Sequence, residues 1–376
     1  MENKKVVELF SEIVRESTWV NKGEQLNELT NITFFLGAGF SKSWDESYPL
    51  GRELFELSHS EIDKYDALHS FFEHCGYSFM DEIGYDQFVE YYYRLGMYRK
   101  HPEIRPRFID EQNINIIERE FRCIVATNLK NKVNLNYVSK NNKFELEPTV
   151  SQCEIINFFH NLFWQQHCST GIPEGIRLNF ITTNYDFIVE QILDKTISDF
   201  HYLDTYRGFT PIKTNGFNNM SPVYGHMLSQ SLFKINGGLE IYQDKNGFSV
   251  NHMEDFGNNV PEIILPSKEQ DYTNKYFKSI FSKTTRLLQE SDILVIIGYS
   301  FPSEDLLIRF ILRHFAEDGR DLADKVIFYI DLGDKDTLMD KLVKITPCQG
   351  RDYARLFVYN NGFVNFVKDF NGLKLP

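Results

Sequence analysis

The sequence predicts an α/β fold, a doubly wound parallel sheet with a large helical insertion. Short apolar segments of strand length alternate with segments of helical periodicity, which is typical of a parallel sheet covered by helices on both faces. Turns that contain glycine follow two of the apolar segments. Between the first and second apolar segments lies a long stretch with helical patterning and few strand-like runs.

The predicted elements begin with an N-terminal amphipathic helix within residues 1–30, packed on the same domain or on another subunit. Residues 32–36 (ITFFL) form the first predicted strand, and the sheet domain comprises 31–57 and 171–376. The helical insertion is predicted at 58–170, with a polar loop at 129–142. The other expected elements are strands at 178–182, 232–235, 263–265, 293–297 and 326–330 and helices at 186–193, 276–290 and 303–315.

Composition and charge limit the possible functions. Hydrophobic residues make up 42% of the 376 positions and charged residues 25%, so a sizeable folded core is expected. The net charge of −13 argues against nucleic-acid binding by the chain alone, because phosphate binding needs clustered Lys and Arg. The polar N-terminus and the lack of a bilayer-length apolar run predict a cytoplasmic protein.

The five cysteines are scattered and never spaced as C-x-x-C. This pattern favours neither a disulfide framework nor a four-thiolate zinc site. No metal is therefore expected.

The first candidate motif follows the first strand and reads Gly37-Ala38-Gly39-Phe40-Ser41. Two glycines at a strand exit let the backbone approach a pyrophosphate, and Ser41 is expected to cap the next helix. Lys42 occupies the place of the third glycine of a dehydrogenase fingerprint, so an ordinary dehydrogenase is not favoured. Taken alone, the motif also fits a tight turn that binds no ligand.

The second candidate motif lies at 182–186 (TTNYD), at the end of the second core strand. Ligands of open α/β sheets bind outside the carboxyl ends of strands, so this segment is expected to face the glycine loop. Asn184 can donate and accept hydrogen bonds, which suits ribose hydroxyls or an attacking water. For Asp186, the simpler interpretation is capping of the next helix.

The third candidate motif lies at 298–302 (GYSFP), after the most apolar strand of the chain. Its Gly298 and Ser300 are expected to bring N–H groups and a hydroxyl to a phosphate. Asp305 is expected to cap the following helix. An ordinary strand-to-helix loop explains the same residues.

Together the three motifs resemble those of the sirtuin-like NAD-binding family. The G-A-G-x-S, T-N-x-D and G-Y-S-F-P elements occur in that family's order, each at a strand end, over residues 31–57 and 170–335. The chain looks closest to the branch of bacterial defence proteins in which Thr-Asn-Tyr-Asp replaces Gln-Asn-x-Asp and no zinc ribbon is present. The fold that this resemblance implies is Rossmann-like.

The resemblance also implies NAD hydrolysis and a role for each motif. The residue matching Asn184 orients the nicotinamide ribose and a water, and the one matching Asp186 helps hold the nicotinamide end. The phosphates lie on the glycine loop, and Asp331, after a late strand, is a candidate for the adenosine ribose. The other contacts expected around NAD are made by Thr183, Gly298 and Ser300.

One segment departs from the family pattern. Where the family has Lys-Leu-His-Gly, with a His that acts as general base, residues 234–237 read KING, so Asn236 occupies the His position. Asn cannot accept a proton near neutral pH, and losing a general base costs about 10² to 10⁴ in rate. Three alternatives follow: His226 enters the site as the base, Asn236 serves as a substitute ligand contact, or the site is inactive or built differently.

The leading functional prediction is an NAD glycohydrolase that depletes NAD when triggered, as its relatives do in phage defence. Because constant activity would kill the cell, we expect control by homo-oligomerisation or by a partner, in related systems a helicase-like ATPase or an Argonaute-like protein. The alternative is a catalytically weak or inactive NAD or ADP-ribose sensor subunit. A protein deacylase is a third and weaker interpretation, because no cysteines form the zinc module.

Overall fold

The computed structural model describes most of the chain in fourteen segments: 2–17, 29–78, 82–138, 143–163, 166–168, 173–196, 213–214, 230–244, 247–252, 259–273, 275–302, 305–316, 325–346 and 355–373. The strands are β1 (Leu29–Leu36), β2 (Tyr137–Val138), β3 (Lys143–Phe144), β4 (Gln166–Cys168), β5 (Pro173–Thr182), β6 (Lys213–Thr214), β7 (Gln230–Lys234), β8 (Gly237–Asp244), β9 (Gly247–Val250), β10 (Pro261–Ile263), β11 (Ile293–Ile297), β12 (Val326–Ile330) and β13 (Leu356–Tyr359).

The helices are α1 (Asn3–Glu16), α2 (Ala38–Trp44), α3 (His59–Ile62), α4 (Asp66–His74), α5 (Tyr85–Lys100), α6 (Glu111–Lys132), α7 (Val150–Phe163), α8 (Ile188–Thr196), α9 (Lys275–Glu290), α10 (Leu306–Arg313), α11 (Lys335–Ile345) and α12 (Phe363–Gly372). Two short 3₁₀ helices lie at Glu53–Phe55 and Pro102–Ile104. No helix among the described segments combines the length and the apolar composition needed to cross a membrane.

Six parallel strands form the central sheet in the order β13-β12-β11-β1-β5-β7, with β4 antiparallel to the beginning of β5. β1 lies in the middle, and the later strands extend from it in opposite directions, so the order reverses between β1 and β11. This is the doubly wound, Rossmann-like order, and the predicted fold class is confirmed. In such sheets, ligands bind at the carboxyl ends of the strands beside the point of reversal.

Both faces of the sheet are buried, which explains the near-continuous apolar strands. Every residue of β11 and β12 is buried. Along β1, Phe34 and Leu36 belong to the core under α1, α7 and α12, whereas Phe35 belongs to the core under α9, α10 and α11. The period of two along each strand thus supplies side chains to two helical layers.

The N-terminal helix is present and packs on the same chain. The buried side of α1 is formed by Val6, Val7, Phe10 and Val14. The Phe10 ring contacts Phe158 of α7, Phe328 of β12 and Phe366 of α12 at centroid distances of 6.1, 5.1 and 5.5 Å. The helix therefore joins the two ends of the chain.

The stretch predicted as helical contains α3 to α7. Of these helices, α7 packs against β5, α8 and α12, so it covers the sheet. The predicted loop at 129–142 is partly wrong: α6 continues to Lys132, and Tyr137–Val138 pairs with Lys143–Phe144. Apolar residues at Leu129, Val133 and Leu135 are buried there despite the surrounding Asn and Lys.

A second sheet, of order β10-β8-β9-β6, was not predicted. The segment at 263–265 was expected as a strand of the parallel sheet, and this is wrong. Residues of β10 pair antiparallel with β8 instead. Gly237, at φ +80°, lets the chain pass from β7 into β8, and a Cβ there would lie 1.9 Å from the Glu262 carbonyl oxygen.

Candidate functional site

Three glycines bring two strand-end loops into backbone contact. The Gly39 N–H donates to the Gly298 carbonyl oxygen at 2.9 Å, and the Gly37 N–H donates to the Ile297 carbonyl oxygen at 3.0 Å. A Cβ on Gly37 would lie 2.5 Å from the Gly298 carbonyl oxygen, and one on Gly39 would lie 2.7 Å from the Gly298 Cα. The contact between the loops at the ends of β1 and β11 therefore requires glycine on both sides.

Asn184 joins the second motif to the first. Its Nδ2 donates to the Gly37 carbonyl oxygen at 2.9 Å and to the Ser41 Oγ at 2.8 Å. The Thr183 N–H donates to the Leu36 carbonyl oxygen at 3.1 Å. The end of β5 is thereby held against the glycine loop, as expected from the sequence.

Asp186 is a buried carboxylate with two donors. Its Oδ2 accepts from the Ser41 hydroxyl at 2.5 Å, and its Oδ1 accepts from the N–H of Ile188, the first residue of α8. Burial raises the pKa of Asp186 although both hydrogen bonds favour the ionised form. Ser41 was expected to cap the helix after β1. It lies inside α2 instead, and its hydroxyl orients Asp186.

A buried ion cluster under Asp186 was not found by sequence reasoning. The Lys234 Nζ lies 3.0 Å from the Glu190 Oε1, 2.8 Å from the Glu240 Oε1 and 2.6 Å from the Asp186 carbonyl oxygen. Burial by itself lowers the pKa of Lys234, but the two carboxylates outweigh it and raise that pKa above its ordinary value. Burial raises the pKa of Glu240. The sequence does contain a signal for this cluster: one charged residue interrupts each of the apolar runs 232–235 and 239–241, a lysine in the first and a glutamate in the second.

Asn236 lies where the family base was expected. It is 9% exposed, and its Nδ2 donates to the Thr183 carbonyl oxygen at 3.5 Å. No described group donates a hydrogen bond to its Oδ1. His226, the alternative base, lies outside the described residues.

Tyr48 is a site residue that the motifs did not reveal. Its side chain is buried, and no described group bonds to its hydroxyl. Burial raises the pKa of Tyr48, and the Asp186 carboxylate nearby raises it further. Tyr48 thus lines the cavity together with Asn184 and Asp186, and its neutral hydroxyl is buried near the Asp186 carboxylate.

The third loop and the end of β12 complete the opposite wall. Gly298 adopts φ +58°, and the Tyr299 hydroxyl donates to the Asp305 Oδ2 at 2.7 Å. Asp305 stands at the N-cap of α10 without making the expected capping hydrogen bond. The Asp331 Oδ1 accepts from the Leu332 N–H, and its Oδ2 accepts from the Tyr329 hydroxyl.

These loops surround a cavity of about 1500 Å³ at the point where the strand order reverses. Of the residues singled out from the sequence, its lining includes Ala38, Gly39, Ser41, Thr183, Asn184, Asp186, Asn236, Gly298, Ser300 and Asp331. Gly37 lies behind the lining in the backbone contact, and Phe40 is buried in the core against Phe363. Tyr85, Leu129 and Gln152, from the helical stretch, also line the cavity.

Comparison with known proteins does not assign the chain to a family. No protein-family model matches the chain, and no curated protein is similar to it. The candidate site is therefore defined by its own geometry.

Proposed function

We propose that the chain binds NAD in this cavity and cleaves the nicotinamide–ribose bond to give nicotinamide and ADP-ribose. The observation that carries the proposal is the meeting of three polar strand-end loops at the reversal point of a Rossmann-ordered sheet. The cavity volume of about 1500 Å³ exceeds the roughly 300–1,000 Å³ of common small-molecule sites, which suits an extended dinucleotide.

We propose an orientation for NAD between the two walls of the cavity. The pyrophosphate lies on the side of the loop at 37–41 that faces the cavity, at Ala38, Gly39 and Ser41. The ribose hydroxyls of adenosine donate to the Asp331 carboxylate at the end of β12. The nicotinamide ribose then points to the wall formed by Asn184, Asp186 and Asn236.

In the reaction, water adds to the ribose carbon as nicotinamide leaves, and the water loses one proton. The Asn184 side chain is held by two hydrogen bonds through Nδ2. Its Oδ1 accepts from the Thr183 hydroxyl at 3.5 Å and has a second lone pair to accept from the water or a ribose hydroxyl. His226 is the proposed base. Asn236 lines the same part of the cavity but cannot take the proton.

A second candidate is a sensor that binds NAD or ADP-ribose with little or no turnover. The presence of Asn236 at the expected His position favours this candidate, because an Asn in that place keeps a ligand contact and loses the base. Both candidates require the same nucleotide in the same cavity.

The biological setting rests on the family resemblance. We place the hydrolase in the cytoplasm as a triggered, NAD-depleting effector of antiphage defence. Its activity is restrained by homo-oligomerisation or by a regulatory partner such as a helicase-like ATPase or an Argonaute-like protein. A partner would also supply any nucleic-acid contact, because the chain carries a net charge of −13.

The test is release of nicotinamide from NAD by the purified chain, alone and with co-purified partners. Wild type is compared with Asn184→Ala, His226→Ala and Asn236→Ala, and Asn115→Ala on the exposed side of α6 is the control. We expect loss of release in the first two variants and wild-type rates in the control. Bound NAD with no release under any condition would instead select the sensor.

A further inference from the structure

Three potential metal ligands converge in the helical stretch, away from the cavity. His59 begins α3, Asp63 follows one turn later, and His69 lies in α4. The His59 Nε2 lies 3.1 Å from the Asp63 Oδ2, and the His69 Nε2 lies 3.7 Å from the Asp63 Oδ1. All three ligand atoms are within 4.8 Å of one another. Two imidazoles therefore point the same nitrogen at the two oxygens of one carboxylate.

These separations are close to the distances between neighbouring ligand atoms around a bound metal ion. Bonds of about 2.0 to 2.2 Å from zinc to nitrogen and oxygen place neighbouring ligand atoms about 3 to 3.5 Å apart. Of the two observed distances, 3.1 Å lies within that interval and 3.7 Å lies slightly above it. An ion pair with Asp63 would need only one of the two imidazoles. A metal ion bound between the three side chains would use both imidazoles and the carboxylate.

A tyrosine orients the first imidazole. The His59 Nδ1 lies 3.2 Å from the hydroxyl of Tyr77, which is buried. Metal-binding histidines usually hydrogen-bond through their second ring nitrogen, which fixes the ring and directs the first nitrogen to the ion. The Tyr77 contact at Nδ1 directs the His59 Nε2 toward Asp63 in this way.

The cluster also has access to solvent. The side chains of His59, Asp63 and His69 are 38%, 46% and 20% exposed. Three protein ligands with an open side leave room for water to complete the shell.

We propose that His59, Asp63 and His69 form a site for one divalent transition-metal ion, for which Zn²⁺ is the best match to two imidazoles and a carboxylate. The ion would tie α3 to α4. The latter is held to α6, because the Leu68 N–H donates to the Glu120 Oε2 at 2.7 Å. Binding therefore stabilises this helical unit and is independent of NAD.

The experiment uses the full chain, treated with EDTA and then titrated with Zn²⁺ by calorimetry and with Co²⁺ by visible absorption. Wild type is expected to bind one equivalent and to unfold at a higher temperature with Zn²⁺ present. His59→Asn, Asp63→Asn and His69→Asn are each expected to weaken binding at least 10-fold. Tyr77→Phe is expected to weaken it about 10-fold, the lower end of the loss on removing such a supporting contact.

His101→Asn is the matched control, because the His101 Nδ1 lies 3.2 Å from the Glu103 carboxylate with no second histidine in the pair. Circular dichroism checks that each variant is folded. The proposal is overturned if folded wild type shows no saturable binding of either ion. It is also overturned if a folded double variant, His59→Asn with His69→Asn, binds as tightly as wild type.

Discussion

Gly298 shows how one residue connects backbone geometry to the site. It adopts φ +58°, and a Cβ there would lie 2.4 Å from both the Gly39 carbonyl carbon and the Phe40 nitrogen. Any side chain at this position would push the loop after β11 away from the glycine loop. Both the positive φ and the lack of room for a Cβ therefore require glycine at position 298.

We expect Gly298→Ala to lower the free energy of unfolding by at least about 1 to 3 kcal/mol, from backbone strain and the clash. Gly96→Ala is the control, since Gly96 lies inside α5 with open space at its Cβ. That change is expected to stabilise the protein by about 0.5 to 1 kcal/mol. Urea unfolding of both variants measures the difference, and equal stabilities would contradict the close contact.

His252 gives a prediction for the acid range. Burial, and then the charge of Lys234, lowers the pKa of His252 to about 3, below the value of about 6.5 expected in the unfolded chain. The unfolded state then binds the proton first as the pH falls. The resulting stability is complete above about pH 6.5 and is lost as the pH falls toward 3.

His252→Phe removes this titration and keeps an aromatic ring beside Phe144 and Phe187. Between pH 6 and pH 4, wild type is expected to lose about 1.4 kcal/mol per pH unit relative to the variant. Urea unfolding at a series of pH values measures this. Parallel stability profiles for the two proteins would show that the His252 imidazole takes up its proton in the folded state as readily as in the unfolded chain.

At the residue scale, local motifs predicted where the polar groups would gather, because strand ends and glycines are properties of short segments. The partners of those groups were less predictable. The Ser41 hydroxyl bonds to Asp186, which is distant in sequence, and Tyr48 belongs to no motif. Contacts of that kind depend on the packing of whole elements.

At the scale of elements, the Lys234 cluster joins β7, α8 and β8 through one buried cation. Its three charged side chains, those of Lys234, Glu190 and Glu240, have 0% or 1% exposure. Such a cluster holds β8 of the second sheet against β7, and the turn that carries Asn236 connects these two strands. It therefore positions one wall of the cavity.

Lys234→Met leaves two buried carboxylates without their cation, and we expect it to cost about 3 to 5 kcal/mol of stability. The control is Lys268→Met, which removes an ion pair with Glu90 whose side chains are 56% and 38% exposed. That loss is expected to be within about 1 kcal/mol. Thermal and urea unfolding compare the two, and similar losses would mean that the buried cluster contributes no more than a surface pair.

Helices and strands with a clear repeat of apolar residues were predictable from the sequence. The sheet to which a strand belongs depends on its neighbours in space and was not predictable. The fully buried strands β11 and β12 were predicted at their observed bounds. The amphipathic α1 was predicted within 1–30 and occupies the first half of that range. The segment at 263–265 is equally apolar, yet it lies outside the parallel sheet. The pattern of apolar residues indicates which faces of a strand are buried, but it does not indicate which sheet the strand joins.

At the scale of the whole molecule, alternating strands and helices were enough to predict the doubly wound sheet. No single segment encodes the strand order, yet this order determines where the candidate site lies. It brings motifs from residues 37, 184 and 298 to a single edge, with Asp331 beside them. The helical stretch contributes further walls to the same cavity, which local sequence could not indicate.

Binding of ADP-ribose by the purified chain tests the central claim most directly. ADP-ribose carries the pyrophosphate and the adenosine ribose for which both proposed functions use the same cavity, and it is not consumed. Isothermal titration calorimetry is expected to show one saturable site. Asp331→Ala should weaken binding at least about 10-fold, since it removes charge-assisted hydrogen bonds, and Asn115→Ala should bind as wild type. The absence of saturable binding by the folded protein, or unchanged binding by Asp331→Ala, would contradict a nucleotide site at the reversal point of the sheet.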